Sequence, residues 1–266
     1  TIPTSSDNLL LGHDQRFWPN HFFSGSISDV RIYNRALTQD EITRLYDNYK
    51  PKIVIDSLNK GLVGYWPLDS KSMKSASTTA DLTPQGNDGT LYGRALADRL
   101  TADRKGAANG AMSFDGSADL INTGIDMIKT GDDSVSAWIY AKSGGVAGRV
   151  IDNGRFLFWL RSSTNYIALT SDGGITYITS GVGSIPYNQW VHVVAVRNST
   201  GYGWIYVNGI LIGTSGATGT PVAGTSNVVI GNEAAADRSF DGIISDVRIY
   251  NRALSADEVK MLYERY

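Results

Sequence analysis

The chain has 266 residues, 42% hydrophobic and 19% charged, with no cysteine and a formal net charge of −2. Aromatics at 10% and a net charge near zero exclude a disordered chain, and at ~150 residues per domain the length holds one large domain or two small ones. Lys plus Arg (24) do not exceed Asp plus Glu (26), no apolar run approaches the ~20 residues of a membrane span, and cysteine is absent. A nucleic-acid partner, membrane insertion, disulfides and thiol catalysis are all disfavoured on these grounds.

Taken in chain order, the first informative feature is a repeat. Residues 24–49 read SGSISDVRIYNRALTQDEITRLYDNY and residues 241–266 read DGIISDVRIYNRALSADEVKMLYERY. Ser28–Leu37 recurs unchanged as Ser245–Leu254, 217 residues later. Upstream, LLLG (9–12) matches VVIG (228–231), with two extra residues in the first copy's intervening loop. A period of this length is domain-sized, too long for a solenoid. The chain therefore reads as the tail of one domain (1–49), a linker (50–60) and one complete copy (61–266). The tail is expected either as the remnant of a longer tandem protein or as a segment that docks on a neighbouring repeat or subunit by strand addition. His13, His21 and Trp18 sit in its longer loop, where decoration of the loop outweighs a partner contact.

The complete copy reads as short strands: LVGYWPL (62–68), VSAWIYA (135–141), RFLFWLR (155–161), YIALT (166–170), WVHVVAV (190–196), GWIYV (203–207) and SDVRIY (245–250). Asp132-Asp133, Ser143-Gly144-Gly145, Asp172-Gly173-Gly174 and Asn198-Ser199-Thr200-Gly201 separate them as turns. Asn208-Gly209 predicts a two-residue type I′ hairpin, because both central residues must take positive φ. Short β-branched and aromatic strands at this spacing predict an all-β, two-sheet antiparallel jelly-roll sandwich. A short helix closes it: Ser255 and Glu258 form a capping box, and Val259, Leu262, Tyr263 and Tyr266 share one face. Thr38, Glu41, Ile42, Leu45, Tyr46 and Tyr49 repeat that pattern in the tail.

The ordered set GLVGYWPLD, ADLTPQGNDGTLYG, GAMSFDGSADLINTG, DSVSAWIYA, NQWVHVVAVRNSTGYGWIYVNGILIG and FDGIISDVRIYNRALSADEV resembles the laminin-G-like jelly roll of the concanavalin A-like lectin/glucanase superfamily. The resemblance covers nearly all of residues 60–266, and its closing part appears again at 9–49. It implies an extracellular or cell-surface module. It also implies a structural calcium ion where the first strand and its following loop meet the closing strand, with Asp69, Asp81, Asn87 and Asp246 as oxygen ligands. Pro84-Gln85 departs from the family's usual Gly-Asn in that loop. Asp29 is the equivalent of Asp246 in the tail, and a salt bridge from Asp246 to Arg248 or Arg252 is the alternative.

Catalysis is not expected. The superfamily's glucanases place closely spaced Glu and Asp on one strand, and here only Glu233 of the four Glu lies in the jelly roll proper. Thr170–Tyr177 (TSDGGITY) resembles the sialidase Asp-box, which a single hairpin with Asp172 capping its glycine turn explains more simply. Trp66, Trp138, Trp190 and Trp204 read as core, and His192 as a sheet histidine. Trp159 and Arg161 share one strand face and, with Tyr177 and Tyr202 on nearby hairpins, form the expected sugar platform; an inter-sheet Trp beside a snorkelling Arg is the alternative. Asn198-Ser199-Thr200 fits the N-glycosylation pattern. The leading expectation is a non-catalytic glycan-binding or adhesion module; the second is an architectural repeat of a surface layer, stalk or filament, assembled through residues 1–50.

Overall fold

The computed structural model describes residues 11–14, 21–25, 27, 30–39, 41–42, 57–142, 148–161, 164–213 and 215–265. Trp18, Asp29, Leu45, Tyr46, Tyr49, Tyr266, the first residues of the linker and the side chains of His13 and His21 lie outside that description. The chain divides into two compact units, Thr1–Lys50 and Pro51–Tyr266.

In the second unit two antiparallel sheets stack as a sandwich, as expected. One sheet runs Ile210–Leu211, Tyr202–Val207, Trp190–Arg197, Asp133–Ala141, Asp241–Tyr250, Ala111–Asp115, Leu100–Thr101, with Gly216–Ala217 beside Tyr202–Val207 and Leu62–Trp66 beside Asp241–Tyr250. The other runs Tyr177–Thr179, Tyr166–Thr170, Leu157–Arg161, Gly148–Asp152, Val229–Ile230, Leu120–Asn122, Gly89–Tyr92, Thr78–Thr79, Met73–Ser75. Neighbouring order is rarely chain order, and Asp241–Tyr250 enters last yet fills a central slot in its sheet. Between the sheets lies the main core, with Trp66, Phe114, Ile121, Ile139, Phe158, Val193, Ile244, Val247 and Ile249 fully buried.

The strand WVHVVAVR is apolar almost throughout because both of its faces are covered. Val191, Val193 and Ala195 face the core, whereas Val194 and Val196 belong to a second cluster with Leu254, Val259 and Leu262 under the Ala256–Glu264 helix. That helix starts where the sequence places it, with Ser255 and Glu258 exchanging bonds as a capping box. Arg252 clamps it, reaching Glu258 at 2.7 and 2.8 Å, Ser57 O at 2.6 Å and Lys60 O at 2.7 Å.

The spacing ISDVRI also has a geometric consequence. Ile244 and Val247 are three apart, so strict alternation would put them on opposite faces. A register shift opposite Ser136 and Trp138, with Asp246 at φ +59°, inserts one residue and returns Val247 to the core. The predicted Asn208-Gly209 turn joins Tyr202–Val207 to Ile210–Leu211, with φ of +50° and +77°.

The first unit is built differently. His13–Asp14 pairs with His21–Phe22, and residues 30–38 form no strand. Its described residues thus hold only part of the strand content expected of a second copy's end.

Candidate functional site

Four loops at one end of the sandwich border an open groove of about 750 Å³. They are the 153–156 turn, the 171–176 turn, the 198–201 turn and the 217–225 segment. The volume falls within the range of ligand sites, roughly 300–1,000 Å³.

The loops are fixed by two buried polar residues. Asn153 Oδ1 accepts from Arg155 N (3.1 Å) and Phe156 N (2.7 Å), its Nδ2 donates to Asp126 Oδ1 (2.9 Å) and Ile128 O (3.0 Å), and its carbonyl accepts from Thr225 N (2.9 Å). Thr218 joins the opposite pair. Its N and Oγ1 both donate to Gly201 O, at 2.7 and 3.0 Å, and its carbonyl accepts from Ser171 N at 2.7 Å. Close approach makes two glycines obligatory. A Cβ on Gly201 (φ +79°) would lie 2.2 Å from Gly219 O, and one on Gly219 (φ +85°) 2.0 Å from Asp172 Oδ2.

The lining is small and hydroxylic: Thr176, Thr200, Thr220 and Thr225, with Gly201, Ala217, Gly219 and Ala223 between them. Ile175 and Val222 supply exposed apolar surface, and Arg155 and Asp172 are the charged residues of the lining. Asp172 is committed to its own hairpin, as the sequence predicts. Its Oδ1 accepts from Thr170 Oγ1 (2.7 Å), Gly174 N (3.3 Å), Ile175 N (3.0 Å) and Thr176 N (3.1 Å). Burial pushes its carboxyl up, but the bonds from Thr170, Thr176 and Ile175 outweigh that and hold it below the ordinary range.

Of the four residues of the expected sugar platform, Trp159, Arg161 and Tyr177 lie on one sheet and Tyr202 on the other. Trp159 is only 7% exposed, its ring covered by Arg149 at 5.4 Å from the centroid and met by the edge of Tyr177 at 5.7 Å. It belongs with Leu157 and Ala168 to a small cluster on the outer face of its sheet. Arg161 is exposed at the end of the same strand, opposite Tyr166. Tyr202 stands on the other sheet, its ring 5.1 Å from Trp204 and its hydroxyl 3.2 Å from Ser215 Oγ. Tyr177 and Tyr202 instead adjoin groove residues, following Thr176 and Gly201 in the chain.

Of the side chains expected to hold calcium, Asp81, Asp69 and Asp246 meet protein donors or cations. Asp81 accepts four bonds, from Tyr65 N, Thr83 N, Thr83 Oγ1 and Asn87 N, at 2.8–2.9 Å. Asp69 caps Ser72 N at 2.7 Å, and the Asn87 carbonyl accepts from Trp66 Nε1 at 3.1 Å. Asp246 faces guanidinium groups, with Arg248 at 2.9 Å and Arg104 at 4.0 Å. Donor N–H groups around Asp81 and cations beside Asp246 do not suit a hard cation, which wants free oxygens. Among the described residues no three His, Asp or Glu converge on a metal position.

His192 is buried, with Nε2 2.9 Å from Ser136 Oγ, and Nδ1 has no partner. Burial, then the charges of Arg248 and Arg104, lower its pKa to about 3, so the ring is neutral. A second perturbed ionisable group, Glu233, has no local signature in the sequence. Burial, a hydrogen bond with Asp237 and the charge of Asp152 push Glu233 up to about 7, while Arg149, 3.7 Å away, opposes them.

Comparison with known proteins agrees with this architecture. The Laminin_G_3 family model, described as concanavalin A-like lectin/glucanases superfamily, matches residues 1–43 and 115–260. Domain 4 of AbnA, a GH43 extracellular arabinanase from Geobacillus stearothermophilus solved with arabinotriose, is 19% identical at a TM-score of 0.56, over 76% of this chain and 98% of that one. The binding domain of Paraclostridial Mosquitocidal Protein 1 is 17% identical at a TM-score of 0.57, over 79% of this chain and 53% of that one. A botulinum neurotoxin type C structure, whose cell entry is described as dependent on two ganglioside molecules, is 15% identical at a TM-score of 0.55, over 79% and 53%. The chain thus spans about half the length of the two toxin structures, and at these identities the likeness is one of fold. No curated protein sequence is significantly similar to the chain.

Proposed function

The chain belongs to the Laminin_G_3 family of the concanavalin A-like lectin/glucanase superfamily, and from that premise we propose that it is a non-catalytic, extracellular glycan-binding module whose ligand lies in the loop-end groove. The observation that carries this reading is the groove itself: an open, hydroxyl-lined surface held by Asn153 and Thr218, with its one carboxylate engaged by its own hairpin. Threonine hydroxyls and backbone groups suit sugar hydroxyls, while Ile175 and Val222 suit the C–H face of a ring. Glycoside hydrolysis normally needs two carboxyl groups about 5–9 Å apart across the substrate. Asp172 alone lines the groove, and its hydrogen bonds hold it ionised, unfit to donate a proton. The oligosaccharides named for the fold relatives make a glycan the natural class to test.

The test is a glycan array followed by calorimetry on the chain and on Ala223→Trp, which fills the groove from an exposed position. Binding that Ala223→Trp abolishes at unchanged melting temperature supports the reading. Binding that survives moves the site elsewhere, and a blank array refutes the glycan class.

One observation favours a second reading, that residues 1–50 assemble the protein with a neighbour. Leu11, Phe22, Phe23, Ile27, Val30, Ile32 and Ile42 are exposed in the first unit. Sedimentation mass of the chain against Val30→Asp/Ile32→Asp decides it: a multimer that the double substitution dissolves supports assembly, and a monomer in both refutes it.

A further inference from the structure

We propose that the groove selects acidic sugars, reading a ligand carboxylate with Arg155; this rests on the groove being the glycan site. Every other buried or half-buried arginine among the described residues has a carboxylate within 4.0 Å. Arg94 and Arg99 meet Asp119, Arg104 and Arg248 meet Asp246, Arg149 meets Asp152, Arg197 meets Asp133 and Arg252 meets Glu258. Half-buried Arg155 is the exception, its guanidinium lining the groove with no hydrogen-bond or ion-pair partner among the described residues.

Its neighbour Asp172 does not fill that role. Asp172 Oδ1 already takes four donors, and Oδ2 accepts Thr176 N at 3.1 Å and packs against Gly219, so the carboxylate is engaged by its own hairpin and the neighbouring segment. Arg155 is nonetheless held in place. Its N–H donates to Asn153 Oδ1 at 3.1 Å, its carbonyl accepts from Gly173 N at 3.0 Å, and Nη1 lies 3.0 Å from where a Cβ on Gly173 would stand. The side chain lies along a glycine that leaves room for it, in a lining that also holds Thr220 and Thr225. A planar guanidinium with five fixed donors matches a carboxylate in bidentate geometry better than it matches neutral hydroxyls. A partly desolvated cation without a protein counter-ion completes its hydrogen bonding when such a ligand arrives, and the surrounding threonines read the ring hydroxyls. The ligand class is a glycan bearing a carboxylate, uronic or sialic.

The experiment is calorimetry on the whole chain with matched pairs: trigalacturonate against its methyl ester, sialyllactose against lactose, and sulfated lactose. The acidic member of at least one carboxylate pair is expected to bind tenfold or more tightly than its neutral partner, with the advantage shrinking as salt rises. Arg155→Gln is expected to erase that advantage, so that acidic and neutral members bind alike, at an unchanged melting temperature. Arg161→Gln, at an exposed arginine outside the groove lining, should keep it. The pair that responds identifies the uronate or the sialate as the source. Equal binding of acid and neutral members, or an advantage that survives Arg155→Gln, overturns the proposal and leaves the glycan reading standing. Preference for the sulfate overturns the carboxylate class, and absence of all binding overturns both.

Discussion

Residues Ile27–Ile42 and Ile244–Val259 carry nearly the same sequence and end in different structures. In the second copy Ile244, Val247, Ile249, Tyr250 and Val259 are all 0% exposed, and the strand Asp241–Tyr250 is paired on both edges. In the first, the matching residues run from 41% exposed at Tyr33 to 70% at Ile32, and residues 30–38 form no strand. Yet the turn after the repeat is the same in both. Arg35 grips Glu41 at 2.8 and 2.7 Å as Arg252 grips Glu258 at 2.7 and 2.8 Å, and Thr38 repeats the capping bonds of Ser255. Bonds between residues three to six apart travel with the sequence. A strand needs partners from far along the chain, because its backbone groups and alternate side chains are satisfied only across a sheet.

The comparison can be broken by substitution in matched pairs. Val247→Asp places an uncompensated charge in the core and should cost at least about 4 kcal/mol, enough to unfold a marginally stable domain; Val30→Asp should stay within about 0.5 kcal/mol. Urea denaturation reads both, and equal effects would show that the first copy is buried in solution. Arg252→Ala removes a half-buried bidentate pair plus two carbonyl contacts and should cost about 2 kcal/mol, whereas Arg35→Ala, at an exposed pair, should not move the midpoint. Ser255→Ala should cost about 1 kcal/mol through the lost cap, with Thr38→Ala silent in the same assay.

Two smaller effects concern charged groups inside the folded unit. Glu233 has its folded pKa raised to about 7 from 4.5, so the folded state binds the extra proton between those values. Stability from this group is therefore full below about pH 4.5 and declines as pH rises toward 7, and Glu233→Gln should flatten that part of the melting profile. A chelator should leave the melting temperature unchanged, since Asp81 and Asp246 already hold protein donors and cations; a clear drop would show that these side chains rearrange around calcium.

How much was legible beforehand varies with the range of the interaction. Asn208-Gly209, the Asp172 cap and the Ser255–Glu258 box were readable because each closes within a few residues. His192 was readable as a sheet histidine, though its neutrality depends on Arg104 and Arg248 from other parts of the chain. Trp159 was legible in part. Alternation placed it with Arg161 on one face and Tyr177 nearby, whereas the Arg149 guanidinium over its ring has no local signature. The groove was half visible, since the 171–176 and 198–201 turns were marked as turns. Residues 217–225 and the isolation of Arg155 carry no local signature.

By itself, then, the sequence determined the fold class, the repeat, the tight turns and the capped helix, all of which follow from periodicity and contacts of short range. Only the tertiary structure decided which copy of the repeat becomes a strand, which aromatic faces stay open, and which half-buried arginine is left without a counter-ion. Those outcomes depend on what the fold brings against each residue from other strands, Arg149 onto Trp159 as much as Leu62 beside Tyr250, and identical residues meet different surroundings.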